Sequence, residues 1–199
     1  MRLGALAALI DIGIPTSMAL SVLARHDPRF VPVLDSFGRE GLLSSALVAN
    51  PEAFDATWVA AIRAGEAAGD VDLRLRDLAA YERMLGPMSH SETANNERRL
   101  LGSIWVLLRA DVRLDTVASV ALLSVGVDAR RADEAGEAVA SGADLIAELS
   151  TNGHLGAYTT DLLRLATSAE KLQELLQWLL QDSAEGTGAN APNAAERRR

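Results

Sequence analysis

The chain has 199 residues, 49% of them hydrophobic and 23% charged, which is enough apolar mass for a buried core and well clear of a disordered composition. Aromatics make up only 4%, so the core is drawn from Ala, Leu and Val and favours closely packed helices over a β-sandwich. A net charge of −8 leaves no basic stripe for nucleic acid, and the lack of cysteine excludes disulfides, thiolate metal sites and cysteine nucleophiles.

Helix breakers set the first elements. Prolines fall at 15, 28, 32, 51 and 87, and the next is Pro192, so the first half reads as a run of short helices. The first helix is predicted over residues 3–12, where Gly13 suits a left-handed cap. Pro15 then opens a second helix over 15–25. A third runs over 32–39 and breaks at Gly41, and a fourth over 44–49 stops at Asn50-Pro51. Asp55 is placed to cap a fifth helix carrying Trp58, Ile62 and Gly65 on one face. Asp70 is placed to cap a sixth, in which Val71, Leu75, Leu78 and Leu85 recur at helical spacing and Asp72 and Arg76 form an i,i+4 ion pair.

Residues 86–95 are polar and turn-rich and read as a linker, after which the same plan starts again. Residues 104–108 match 8–10, and Asp111-Val112 falls where Gly13-Ile14 stood, an offset of 98. Gly142 followed by Leu145 and Leu149 matches Gly41 followed by Leu43 and Leu47. Residues 155–165 match 54–64, and 170–179 match the helix that starts at Gly69, at an offset of 101. The expectation is two diverged copies of one helical unit, over 1–88 and 96–183, joined by a linker at 89–95 and followed by a disordered polar tail at 184–199. The copies carry net charges of −3 and −5, so neither suggests a nucleic-acid binder.

Membrane insertion fails on length. The longest uncharged apolar run unbroken by proline, residues 116–127, is twelve residues. At ~1.5 Å each it covers about 18 Å of a ~30 Å hydrocarbon core. Asp11 interrupts the N-terminal apolar run and no small-x-small cleavage site follows, so that segment reads as the first helix of a cytosolic chain rather than a signal peptide.

Motifs with chemical content are few. Ala64, Gly65, Ala68 and Gly69 place small residues together on a helix, where a neighbouring backbone approaches closely. A phosphate loop needs a preceding strand and a lysine, and neither is present. Glu66 among them reads as an exposed charge, or as a helix-end or partner contact, in preference to a catalytic group. Asp70-x-Asp72 fails as a calcium loop, because the sixth position is Leu75 and the twelfth is Tyr81. The cluster Ser89-His90-Ser91 lies in the linker without an orienting carboxylate. Asp133, Glu134 and Glu137 make a solvated acidic face, and His26, His90 and His154 lie far apart. Trp58, Trp105 and Trp178 read as core or interface anchors. No catalytic set, metal site or cofactor is expected.

One stretch has a family look. Phe54-Asp55, then Ala64-Gly65-Glu66-Ala67-Ala68-Gly69, then Val71, Leu75, Leu78 and Tyr81 resemble the signature of the inner-membrane platform protein of type II secretion and type IV pilus machines. Upstream, Leu9, Gly13-Ile14-Pro15, Ala19-Leu20, Gly41 and Ala46-Leu47 fit the same domain in order. The resemblance covers residues 5–85 well and 97–182 weakly. It implies an all-α protein of two tandem six-helix bundles, a non-enzymatic scaffold that engages the cytoplasmic assembly ATPase or other platform subunits, or its own kind as a homo-oligomer. Partner-binding or helix-packing roles then fall to Phe54, Trp58, Gly65, Glu66, Gly69, Asp72 and Tyr81. In family members a transmembrane hairpin separates the copies and a third span closes the chain. Here a short linker and a polar tail stand in those places, and Ala166-Thr167 replace the Gly-Glu pair in the second copy. The implied location is the cytoplasm, with peripheral docking at the inner membrane. The alternative is a soluble helical adaptor or regulator unrelated to secretion.

Overall fold

Residues 3–86, 91–151 and 154–186 are described in the computed structural model, and among them every regular element is an α-helix. The first six are α1 (Leu3–Asp11), α2 (Thr16–Ala24), α3 (Phe30–Glu40), α4 (Leu43–Val48), α5 (Ala56–Ala68) and α6 (Val71–Leu85). The second six are α7 (Glu92–Arg109), α8 (Leu114–Ser124), α9 (Ala129–Ala140), α10 (Leu145–Thr151), α11 (Ala157–Leu163) and α12 (Ala169–Gly186). No described helix is long and apolar enough to cross a membrane.

The helix ends follow local chemistry. The Asp55 carboxylate accepts hydrogen bonds from the amides of Thr57 (2.9 Å) and Trp58 (3.3 Å), capping α5 as the sequence predicts. Asp70 departs from expectation. It occupies the N-cap position of α6, but its side chain caps no amide and is bound instead by the Arg74 guanidinium one turn on. Gly41 and Gly69 end α3 and α5 in the left-handed region, where a Cβ is costly. The turn after α1 closes at Gly13 (φ 86°), with the Ile14 amide donating to the Leu9 carbonyl over 3.0 Å. The turn after α7 closes the same way at Asp111 (φ 54°), with Val112 donating to Leu107 over 3.0 Å.

Two expected boundaries move. Ser91 caps α7 by accepting from the Ala94 amide, so residues 92–95 of the expected linker at 89–95 are helical, and 87–90 lie outside the described residues. Helix α12 runs to Gly186, so residues 184–186 of the expected tail are helical, and 187–199 lie outside the described residues.

Sequence neighbours pack as spatial neighbours from α1 through α6, and α6 returns to pack on α1, closing a ring. The same neighbour relations hold from α7 through α12, where α12 returns to α7. The two halves then meet on one side only. Helices α5 and α6 lie against α7 and α8, with α12 touching α6. One continuous cluster of buried apolar side chains runs through both halves, from Leu6 to Leu180. Close approach needs small residues. A Cβ on Gly136 of α9 would lie 2.2 Å from the Ser119 hydroxyl and 3.0 Å from the Asp115 carbonyl of α8.

Candidate functional site

The stretch from Phe54 to Tyr81 forms α5, α6 and the turn between them. Its residues do not converge on one exposed surface. Phe54 packs edge-on against Trp58 (centroids 5.4 Å apart, planes at 61°) and against Phe30 (5.7 Å, 67°), and all three rings are buried. Tyr81 is buried on the facing side of α6, against Gly102 of α7, where an added Cβ would come within 2.3 Å of its ring. Burial pushes the Tyr81 phenol well above its usual range. Asp72 lies at the surface, paired with Arg76 at 2.7 Å as the spacing predicts, and Arg76 also reaches Asp11 of α1 at 2.6 Å.

The small-residue cluster resolves into separate roles. Gly65 is the packing position. A Cβ there would meet Arg74 Cγ at 2.6 Å and the Val71 backbone at 3.1 Å, so α6 presses directly on it. Ala68 and Gly69 face solvent, and Gly69 serves as the left-handed end of α5. Glu66 turns out to be a helix-end contact. Its carboxylate accepts the amides of Leu43 (2.6 Å) and Ser44 (3.1 Å) and the Ser44 hydroxyl. A side chain of α5 therefore satisfies the first free amides of α4, whose own N-cap position is occupied by Leu42 and offers no side-chain acceptor.

Two polar clusters across the meeting of the halves were not singled out by the sequence. Arg74, nearly buried, binds Asp70, lies 3.4 Å from Asp77 and donates to the Arg109 backbone carbonyl. Arg109 returns to Asp77 at 2.8 Å while its guanidinium sits 5.2 Å from the Trp105 ring centroid. The second cluster is a chain of hydroxyls, Thr57 to Ser103 (2.9 Å) and Ser103 to Ser124 (2.9 Å), joining α5, α7 and α8. One signal in the sequence pointed to the first cluster. Asp70 and Arg74 have the same four-residue spacing as Asp72 and Arg76, and Asp77 breaks the apolar register beside Leu78.

The open feature nearest this region is a groove of about 610 Å³ between α5 and α8, lined by Val59, Ala60, Arg63, Val112, Thr116 and Val120 among others. Among the described residues no three His, Asp or Glu side chains are grouped as a metal site requires. Asp133, Glu134 and Glu137 are exposed on α9, with Glu134 held by Arg130 at 2.9 Å. Ser89 and His90 lie outside the described residues, and Ser91 is the cap of α7. Trp58 and Trp105 are buried anchors, whereas Trp178 is about half exposed. No family model, curated protein or solved structure matches the chain.

Proposed function

We propose that the chain is a non-enzymatic scaffold made of two six-helix units similar to the cytoplasmic domains of secretion and pilus platform proteins, engaging an assembly ATPase or another platform subunit. The observation that carries this reading is the recurrence of one closed helix ring in each half, with left-handed turn residues at matching places: Gly13 and Asp111, Gly41 and Gly142. The signature residues support a scaffold in a particular way. Gly65, Glu66, Phe54 and Trp58 hold the first unit together and Tyr81 joins it to the second, which leaves partner recognition to the surfaces the units display. The test is affinity co-purification of the chain from its native host, followed by direct binding to the purified assembly ATPase. Retention of the ATPase or a platform subunit is expected. Capture of neither overturns the secretion assignment, and specific capture of a partner outside such machines puts the adaptor reading in its place.

A further inference from the structure

The halves meet through unlike faces, and this leaves one copy of each face uncovered. The first half presents α5 and α6, and the second receives them on α7 and α8. In the register of the two-unit reading, on which this inference rests, α11 and α12 correspond to α5 and α6, and α1 and α2 correspond to α7 and α8. Among the described residues α11 and α12 make no contact with α1 or α2. A two-fold arrangement would have used both pairs, so the interface is heterologous and can be repeated.

The residues on the two uncovered faces are those of an unmade interface. At the offset of 101, Tyr158 stands where Thr57 stands and Trp178 where Asp77 stands. Thr57 (0% exposed) and Asp77 (6%) are buried with partners on α7, whereas Tyr158 is 68% and Trp178 48% exposed. At the offset of 98, Met18 and Val22 of α2 stand where Thr116 and Val120 of α8 line the groove with α5, and both are exposed. Ile12, 73% exposed, stands at the place of the buried Ala110. Of the ten large exposed apolar side chains among the described residues, six fall on these two faces or at their helix ends, Ile12, Met18 and Val22 on one and Tyr158, Leu165 and Trp178 on the other, while Val31, Leu42, Val48 and Leu114 lie elsewhere.

We propose that copies of this chain associate head to tail, with α11 and α12 of one copy seated on α1 and α2 of the next, repeating the contact that joins the halves within a chain. The occupant is a second copy because the corresponding helices, in the same order, already make a contact of this kind once inside every molecule. Where the internal contact uses a hydroxyl bond and an Asp–Arg pair, the external one uses two aromatic side chains against aliphatic ones, the composition of an interface hot spot.

Sedimentation velocity and light scattering on the purified chain over a wide concentration range test this, beside two variants at exposed positions, Met18→Glu and Trp178→Glu. The parent is expected to grow beyond a dimer with concentration. Each variant alone is expected to stay monomeric with an unchanged thermal melt. An equimolar mixture of the two is expected to form a dimer and stop there, because each variant keeps the one face the other lacks. A parent that is monomeric throughout overturns the proposal. So does a mixture that stays monomeric, or a single variant that still associates, since each of these outcomes requires a like-to-like contact or none. The readout uses the chain alone, so its failure leaves the ATPase assignment standing, and failure to bind an ATPase leaves this result standing.

Discussion

Gly65 meets α6 so closely that its missing side chain is a structural requirement. Gly65→Val should cost ~1–3 kcal/mol through overpacking against Arg74 and Val71. Helix propensity alone predicts a small gain, so the two accounts differ in sign. Ala166→Val, at the offset of 101 but in the turn after α11 rather than on a helix face, should be milder, because the half-buried Ala166 lines an open pocket. Denaturant melts of both variants decide it, and an unaltered Gly65→Val midpoint would remove the packing role. Glu66 invites a second measurement. Its loss in Glu66→Ala strips acceptors from the first amides of α4 and should cost ~1 kcal/mol, with Glu66→Gln closer to the parent. Asp70 supplies a pH-dependent case. Hydrogen bonds from Arg74 hold its carboxyl below the ordinary 3.8. The resulting stabilisation is complete above that pH and is lost as pH falls through the lower folded value. The stability gap between parent and Asp70→Asn should therefore be full at neutral pH and close in strong acid. A gap that widens on acidification would show that Arg74 does not favour the ionised form.

At the scale of elements, α6 and α7 approach through Tyr81 and Gly102, so Gly102→Ala should force the ring aside and destabilise the junction although Ala is the better helix former. Near-ultraviolet circular dichroism would register the displaced tyrosine, and an unchanged spectrum and melt would mean the ring has room to yield. Most helices were legible in the sequence because their stops are local: Gly13, Gly41, Asn50-Pro51 and the Asp55 cap are each settled within a few residues. What escaped depends on distant parts of the chain. Ser91 looked like part of a polar linker because its neighbours are polar, yet α7 continues back to Glu92. Asp70 looked like a cap, but Arg74 offers its carboxylate two donors on the same helix. Glu66 looked ambiguous because the amides it serves lie more than twenty residues earlier, beyond any local rule.

At the scale of the molecule, the apolar core does not divide at the boundary expected from the sequence. Buried side chains continue across the seam, and Thr57, Tyr81, Ser103 and Arg74 tie one half to the other. Thermal unfolding should therefore be a single transition, with tryptophan fluorescence from Trp58 and Trp105 and far-ultraviolet circular dichroism coinciding. Tyr81→Ala, which empties the seam, should separate the two signals. Coincident curves in that variant would show that the halves are coupled elsewhere.

The brevity of the connection between α6 and α7 gives this seam its economy. Only residues 86–91 separate the two helices. A tether of that length keeps each half at an effective concentration on the order of millimolar or higher relative to the other. Beside the apolar core that continues across the seam, a few hydroxyls and one shared arginine cluster are then sufficient polar chemistry to keep the halves together inside one molecule. The same faces on separate molecules have no tether and must compensate with affinity, which accounts for threonine and aspartate on the joined side and tyrosine and tryptophan on the free one.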